Sequence, residues 1–152
     1  QIGTDVVDGN GNGILRAYTV PISTAGSKDV VMPAAGGYDM MGVVMLFSGQ
    51  IEVEGFVKTS FASSVASFST PATTVTGNLD LLVAAMMNLN GKTFDLSSSG
   101  LTQQANPKCL PFSATTVGTA ALSSSGTTPT YSITLSEATK PGVAVFGIQA
   151  LA

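Results

Sequence analysis

The 152-residue chain has no histidine, no tryptophan and a single cysteine, and only 10% of its residues are charged. Without histidine, Ser-His-Asp and Cys-His catalysis and histidine-ligated zinc are excluded. One cysteine, Cys109, closes no disulfide within the chain, makes no structural zinc site and has no imidazole to activate it. Without tryptophan the chain lacks the largest flat aromatic platform on which sugars stack, which disfavours a carbohydrate-binding module. Globular domains average about 25% charged residues, so this surface is weakly hydrated and weakly self-repelling. It suits a chain covered by neighbours or working outside the cell.

The chain also lacks S-x-x-K, a P-loop, a strand-borne G-x-G-x-x-G and any N-x-[ST] acceptor. The net charge is −3, and Arg16, Lys28, Lys58, Lys92, Lys108 and Lys140 are scattered, so no basic patch for nucleic acid is expected. The longest run of apolar residues and glycine, Met40 to Phe47, is far below the ~20 residues of a membrane helix, so no membrane partner is expected. A start at Gln1 rather than Met fits signal-peptide removal, a maturation cleavage or a numbering that begins late.

What the chain has in quantity is hydroxyl: 17 Ser and 18 Thr. Apolar residues make up 44%, and the length suits one domain with a real core. Residues 1–13 are polar and glycine-rich and read as a flexible arm, leaving 14–152 as one β-rich domain. Tyr18, Val20 and Ile22 alternate with Thr19 and Pro21, a strand pattern that the proline confines to a sheet edge. "VVM" ending at Pro33 is a further short strand. Tyr38–Phe47 reads as a strand buried on both faces, joined through Ser48-Gly49-Gln50 to a second strand, Ile51–Phe61, with one face to solvent, in a hairpin.

The spacing of Leu79, Leu82, Val83 and Met86 predicts one α-helix over about residues 79–90, capped by Asn78, with Asp80 in its first turn and Gly91 at its end. Residues 59–76 are open between strand, helix and loop, because Phe61, Val65 and Phe68 fall at helical spacing. "ATTVGTAAL" is a weak strand. Tyr131, Ile133 and Leu135 alternate on one strand, Val143 to Ala150 form another, and Lys140-Pro141-Gly142 turns a hairpin between them. The sum is a mainly β fold: an antiparallel β-sandwich or barrel with one helix.

Two groups of residues invite chemistry. Glu52 and Glu54 share one strand face, as a glycosidase acid and base would, but a solvent-facing row of a half-buried strand looks the same. Asp8, Asn10, Asn12 and Gly13 match positions 1, 3, 5 and 6 of a calcium loop, with Leu15 at position 8. Position 12 is Thr19, which supplies no bidentate carboxylate. A structural turn or hinge therefore outweighs a calcium site, and no other cofactor is indicated.

Small size, β content, abundant Ser, Thr, Ala and Gly, low charge and missing catalytic groups resemble bacteriophage capsid decoration (cement) proteins. The resemblance is one of composition across the whole chain, with no diagnostic motif. It implies a non-enzymatic homo-oligomer, such as a trimer, on the exterior of a virion and bound to a major capsid protein or another virion protein. The arm, with Gln1, Ile2, Val6 and Val7 as its contact residues, would swing at Gly9, Gly11 and Gly13 onto another subunit. A bacterial extracellular surface protein, a pilus subunit or adhesin, is the alternative.

Overall fold

The computed structural model describes residues 1–24, 26–27, 29–31, 41–77, 81–109 and 112–151. Among them are thirteen strands and no helix: β1 (Ile2–Val7), β2 (Ile14–Ala17), β3 (Ile51–Ser60), β4 (Val65–Ser69), β5 (Thr74–Val75), β6 (Leu81–Asn88), β7 (Phe94–Asp95), β8 (Thr102–Ala105), β9 (Lys108–Cys109), β10 (Ser113–Ala121), β11 (Gly126–Thr127), β12 (Ser132–Thr139) and β13 (Gly142–Ala150). All pairings are antiparallel. The main sheet runs β3-β13-β6-β10-β8, with β9 also on β10. A second sheet runs β4-β12-β7, and two small ribbons pair β1 with β2 and β5 with β11.

β6 occupies the place where a helix was expected. Met87 to Leu81 pair residue by residue with Thr115 to Ala121 of β10, and Met87 to Leu81 also face Gly142 to Ile148 of β13. Leu82, Ala84 and Met86 point into one core, and Val83 and Ala85 into another. A strand buried on both faces is apolar throughout, so it contains an i, i+3, i+4, i+7 set by default. Asn78, Leu79 and Asp80, the expected cap and first turn, lie outside the described residues. Gly91 does adopt a left-handed φ of 61°, but in the turn that follows a strand. Buried Asn88 builds that turn. Its Nδ2 donates to the Lys92 carbonyl at 2.6 Å, and its Oδ1 accepts the N–H groups of Asn90 and Lys92 at 3.1 and 3.0 Å.

The first core joins the two larger sheets: Leu82, Met86, Val143 and Val145 from the main sheet meet Phe68, Phe94, Ile133 and Leu135 from the second. The second core lies on the opposite face of the main sheet. There Val83, Ala85, Val117, Phe146 and Ile148 are covered by Ile2 and, more loosely, by Leu15, Val43, Met45 and Phe56. At ~25 cal/mol per Å2 of apolar surface removed from water, both cores contribute to stability, and the first is the more fully closed.

Other expectations change as well. Residues 59–76 carry the end of β3, then β4 and β5, and no helix; Phe61 and Phe68 meet with ring centroids 5.1 Å apart. The expected strands at Ile133 and Val143 exist but are not a hairpin. β12 pairs with β4 and β7, while β13 lies between β3 and β6. Lys140-Pro141 is a crossing between sheets, where the Pro141 carbonyl accepts the Phe61 N–H at 3.1 Å. β13 is buried along Gly142–Ile148, and such a strand needs neighbours on both sides. Thus β3 takes β13 as its partner, and Met41–Phe47, the described part of the expected hairpin strand, does not pair with it.

The hydroxyls are not confined to the surface. Thr70, Thr73, Thr116, Thr119, Thr128 and Thr139 are buried. Their oxygens join separate segments: Thr70 accepts the Tyr131 N–H at 3.0 Å, Thr128 the Thr73 N–H at 3.0 Å, and Thr119 the Gln104 amide at 2.8 Å. Buried hydroxyls need partners of this kind, since an unmade bond costs about 1–3 kcal/mol.

Candidate functional site

Residues 8–13 form a closed loop at the turn of the β1-β2 hairpin. The Asp8 N–H donates to the Gly13 carbonyl at 3.0 Å, and the Gly11 N–H to the Asp8 carbonyl at 2.9 Å. Asp8 is buried, and its Oδ1 accepts the N–H groups of Asn12 and Gly13 at 3.0 and 2.8 Å. The Asp8 side chain therefore serves as the turn's internal brace, the usual use of Asx residues before glycine. Its Oδ2 is buried with no donor among the described residues. Asn10 and Asn12 are exposed. Among the described residues no three acidic or cysteine side chains gather as a metal site.

The segment read as a hinged arm lies on the domain. Of its four expected contact residues, Ile2 and Val6 are buried, Val7 is half-buried and only Gln1 is exposed. The Gly9 N–H donates to the Lys140 carbonyl at 3.1 Å, and Ser60 Oγ donates to the Val7 carbonyl. Arg16 forks onto Asp5 at 2.8 and 2.7 Å across the hairpin. That pairing, followed by the Gln1 amide, holds the Asp5 carboxyl down at about 2 and raises the Arg16 guanidinium.

Glu52 and Glu54 share a strand face as expected but have different surroundings. Glu52 is exposed. The Glu54 carboxylate accepts the Thr76 N–H at 3.0 Å, the Thr76 hydroxyl at 2.6 Å and the Gly77 N–H at 3.3 Å, tying β3 to the chain beyond β5. A carboxylate committed to three donors is a brace, not a free acid or base. The groove beside them, about 430 Å3, has the volume of a small ligand site but is open. Its walls include Gln1, Gly3, Thr19, Ile51, Val53 and Phe56.

The least expected feature is apolar and exposed. Eleven large hydrophobic residues are exposed among those described, and nine of them fall between Ile14 and Phe47. Tyr18, Val20 and Ile22 are 59%, 77% and 54% exposed. β2 ends at Ala17, so the expected strand over Arg16–Ile22 stops before these residues. Met41–Phe47 is likewise outside any strand: Met41, Val43 and Met45 are half-buried, while Val44 and Leu46 face out. Met32–Met40, including the end of "VVM" and Pro33, lie outside the described residues. The signal for an unpartnered segment was present in the sequence as a period-two pattern interrupted by Pro21. No free partner strand was assigned to it.

Scans of family models, curated proteins and solved structures returned no match to this chain.

Proposed function

We propose that this chain is a non-enzymatic structural protein of a virus particle, one that self-associates and binds a capsid lattice from the exterior. In this reading its two larger sheets act as a β-sandwich, a rigid block that displays assembly surfaces. The observation that carries the reading is the concentration of exposed apolar residues in Ile14–Phe47. A monomer's largest apolar patch is about 300–600 Å2, and larger ones mark interaction surfaces. Tyr18, Val20, Ile22, Val30, Val31, Val44, Leu46 and Phe47 are all exposed, and covering them with a partner would remove that apolar surface from water. Low charge supports the same reading, because few ions must be desolvated when such a surface is covered.

The contacts assigned to an arm pass to Tyr18–Phe47, since Ile2 and Val6 already face the chain's own core. Sedimentation of the purified protein, alone and with its source particle, tests the proposal. Self-association together with saturable binding to the particle is expected. A monomer that binds no particle would sink it. Binding to cell-surface fibres instead of virions would move the reading to a bacterial surface subunit.

A further inference from the structure

The main sheet ends at β3, which is paired on one side only, by β13. The Leu151 N–H donates to the Gln50 carbonyl at 2.9 Å, which directs Gln50 toward β13. Backbone direction alternates in an antiparallel ladder, so Glu52 and Glu54 also face β13 while Ile51 and Val53 face away. Gly55 continues the alternation, and its carbonyl meets the Thr73 hydroxyl on the outer side. Beyond Gly55 the edge is closed by Thr73 and by β1, through Lys58 Nζ to the Asp5 carbonyl at 2.7 Å and Ser60 to Val7. At Ile51 and Val53 nothing among the described residues pairs with the outward N–H and C=O groups. An open edge of this kind is a template for another strand.

The same molecule has a strand pattern without a ladder. Tyr18, Val20 and Ile22 alternate with Thr19, Pro21 and Ser23, and no backbone hydrogen bond of the described residues holds Tyr18–Ile22. Pro21 excludes this segment from a sheet interior but not from an outermost position. Thr19 stands on the wall of the groove that runs beside Ile51 and Val53.

We propose that Tyr18–Ile22 of a second copy of this chain adds to the free edge of β3 at Ile51–Val53, and that two copies exchange this segment reciprocally. This rests on the self-association reading above. Donor and acceptor lie side by side on one surface, so a two-fold axis satisfies both at once and closes the assembly. Added there, the row of Tyr18, Val20 and Ile22 extends the second core past Ile51, Val53 and Phe56, which are only half-buried. Specific interfaces bury about 1,200–2,000 Å2 in total, and reciprocal exchange doubles the area that a single added segment would cover. Main-chain bonds supply the attachment and the alternate side chains its register.

The test uses sedimentation velocity on the full chain at about 100 μM, where a micromolar pair forms almost completely. Wild type is expected as a pair. The donor variant V20D/I22D changes only exposed residues and should be monomeric with an unchanged melting midpoint. The acceptor variant I51P removes one outward N–H at a strand's first residue, where proline is tolerated, and should also be monomeric. An equimolar mixture of the two variants should recover a pair, because it keeps one intact donor and one intact acceptor. If I51P does not fold, a synthetic peptide spanning residues 16–24 replaces it, and should bind V20D/I22D. Paired wild type with equally paired V20D/I22D overturns the exchange and leaves self-association standing. So does a mixture, or peptide, that shows no binding. Monomeric wild type overturns both readings.

Discussion

Asn88→Ala isolates what separates a buried strand from a surface helix at residues 81–90. Asn88 has no exposed surface and makes three hydrogen bonds to the backbone of Asn90 and Lys92. Each bond contributes about 0.5–1.5 kcal/mol net, so losing all three costs about 2–4 kcal/mol. Two N–H groups and one carbonyl lose their partner, but the turn is near enough to the surface for water to recover part, which places the expected loss near 2–3 kcal/mol. For a domain of this size each kcal/mol shifts the midpoint by about 2–4 °C, so the melting midpoint should fall by roughly 5–10 °C. Urea titration followed by circular dichroism gives the free energy directly, with the slope m unchanged. On a helix with its apolar stripe at Leu82, Val83 and Met86, position 88 faces solvent, and alanine would be neutral or slightly stabilising. A loss under about 0.5 kcal/mol would refute the strand and the turn built on it.

Gly55 has φ +64°, and a Cβ there would collide with the Thr74 carbonyl, whereas Gly49, at φ +86°, faces open space. Gly55→Ala should cost about 2–3 kcal/mol in urea unfolding and Gly49→Ala about 1, since only the first adds overlap to left-handed strain. Equal losses would contradict the close approach. Asp5 should titrate near 2 in the folded protein and return toward 3.8 in Arg16→Gln, read from its carboxyl chemical shift. Because the folded value is depressed, the pair's contribution is complete above the unfolded value and is lost as pH falls from about 4 through 2. A wild-type midpoint at the ordinary value would remove the pair. Asp8→Ala should cost about 2–4 kcal/mol through two lost charge-assisted bonds, while calcium against chelator leaves the wild-type midpoint unmoved. A rise with calcium would restore the site at residues 8–12.

The stretch 81–88 shows why part of the fold was hidden. Its residues are apolar because strands lie on both sides and cores on both faces. A one-dimensional pattern cannot distinguish that from a helix with a broad stripe. Gly91 and the polar residues around it added to the ambiguity, since a left-handed glycine ends a helix and shapes a turn equally well. The two candidate groups have a structural use that the sequence hides for a common reason. Asp8 Oδ1 and the Glu54 carboxylate have the chemistry of ligands and bases, and both accept hydrogen bonds from donors that come near only in the folded chain. The exposed Tyr18–Ile22 row carries a legible strand pattern, but the strand ends at Ala17. Its lack of a partner was not legible, because pairing is a property of the other strands.

By itself the sequence determined the class: mainly β, antiparallel, poor in charge, without the histidine or paired cysteines that much catalysis and zinc binding require. Those follow from composition and from period-two alternation, which are local. Only the tertiary structure decided that β6 is a strand, that β12 and β13 belong to different sheets, that Ile2 and Val6 are core residues, and that no described residue pairs with the edge at Ile51 and Val53. Each of these depends on which segment lies alongside which. That is set by competition among all the strands for two buried faces, and no single segment carries the outcome.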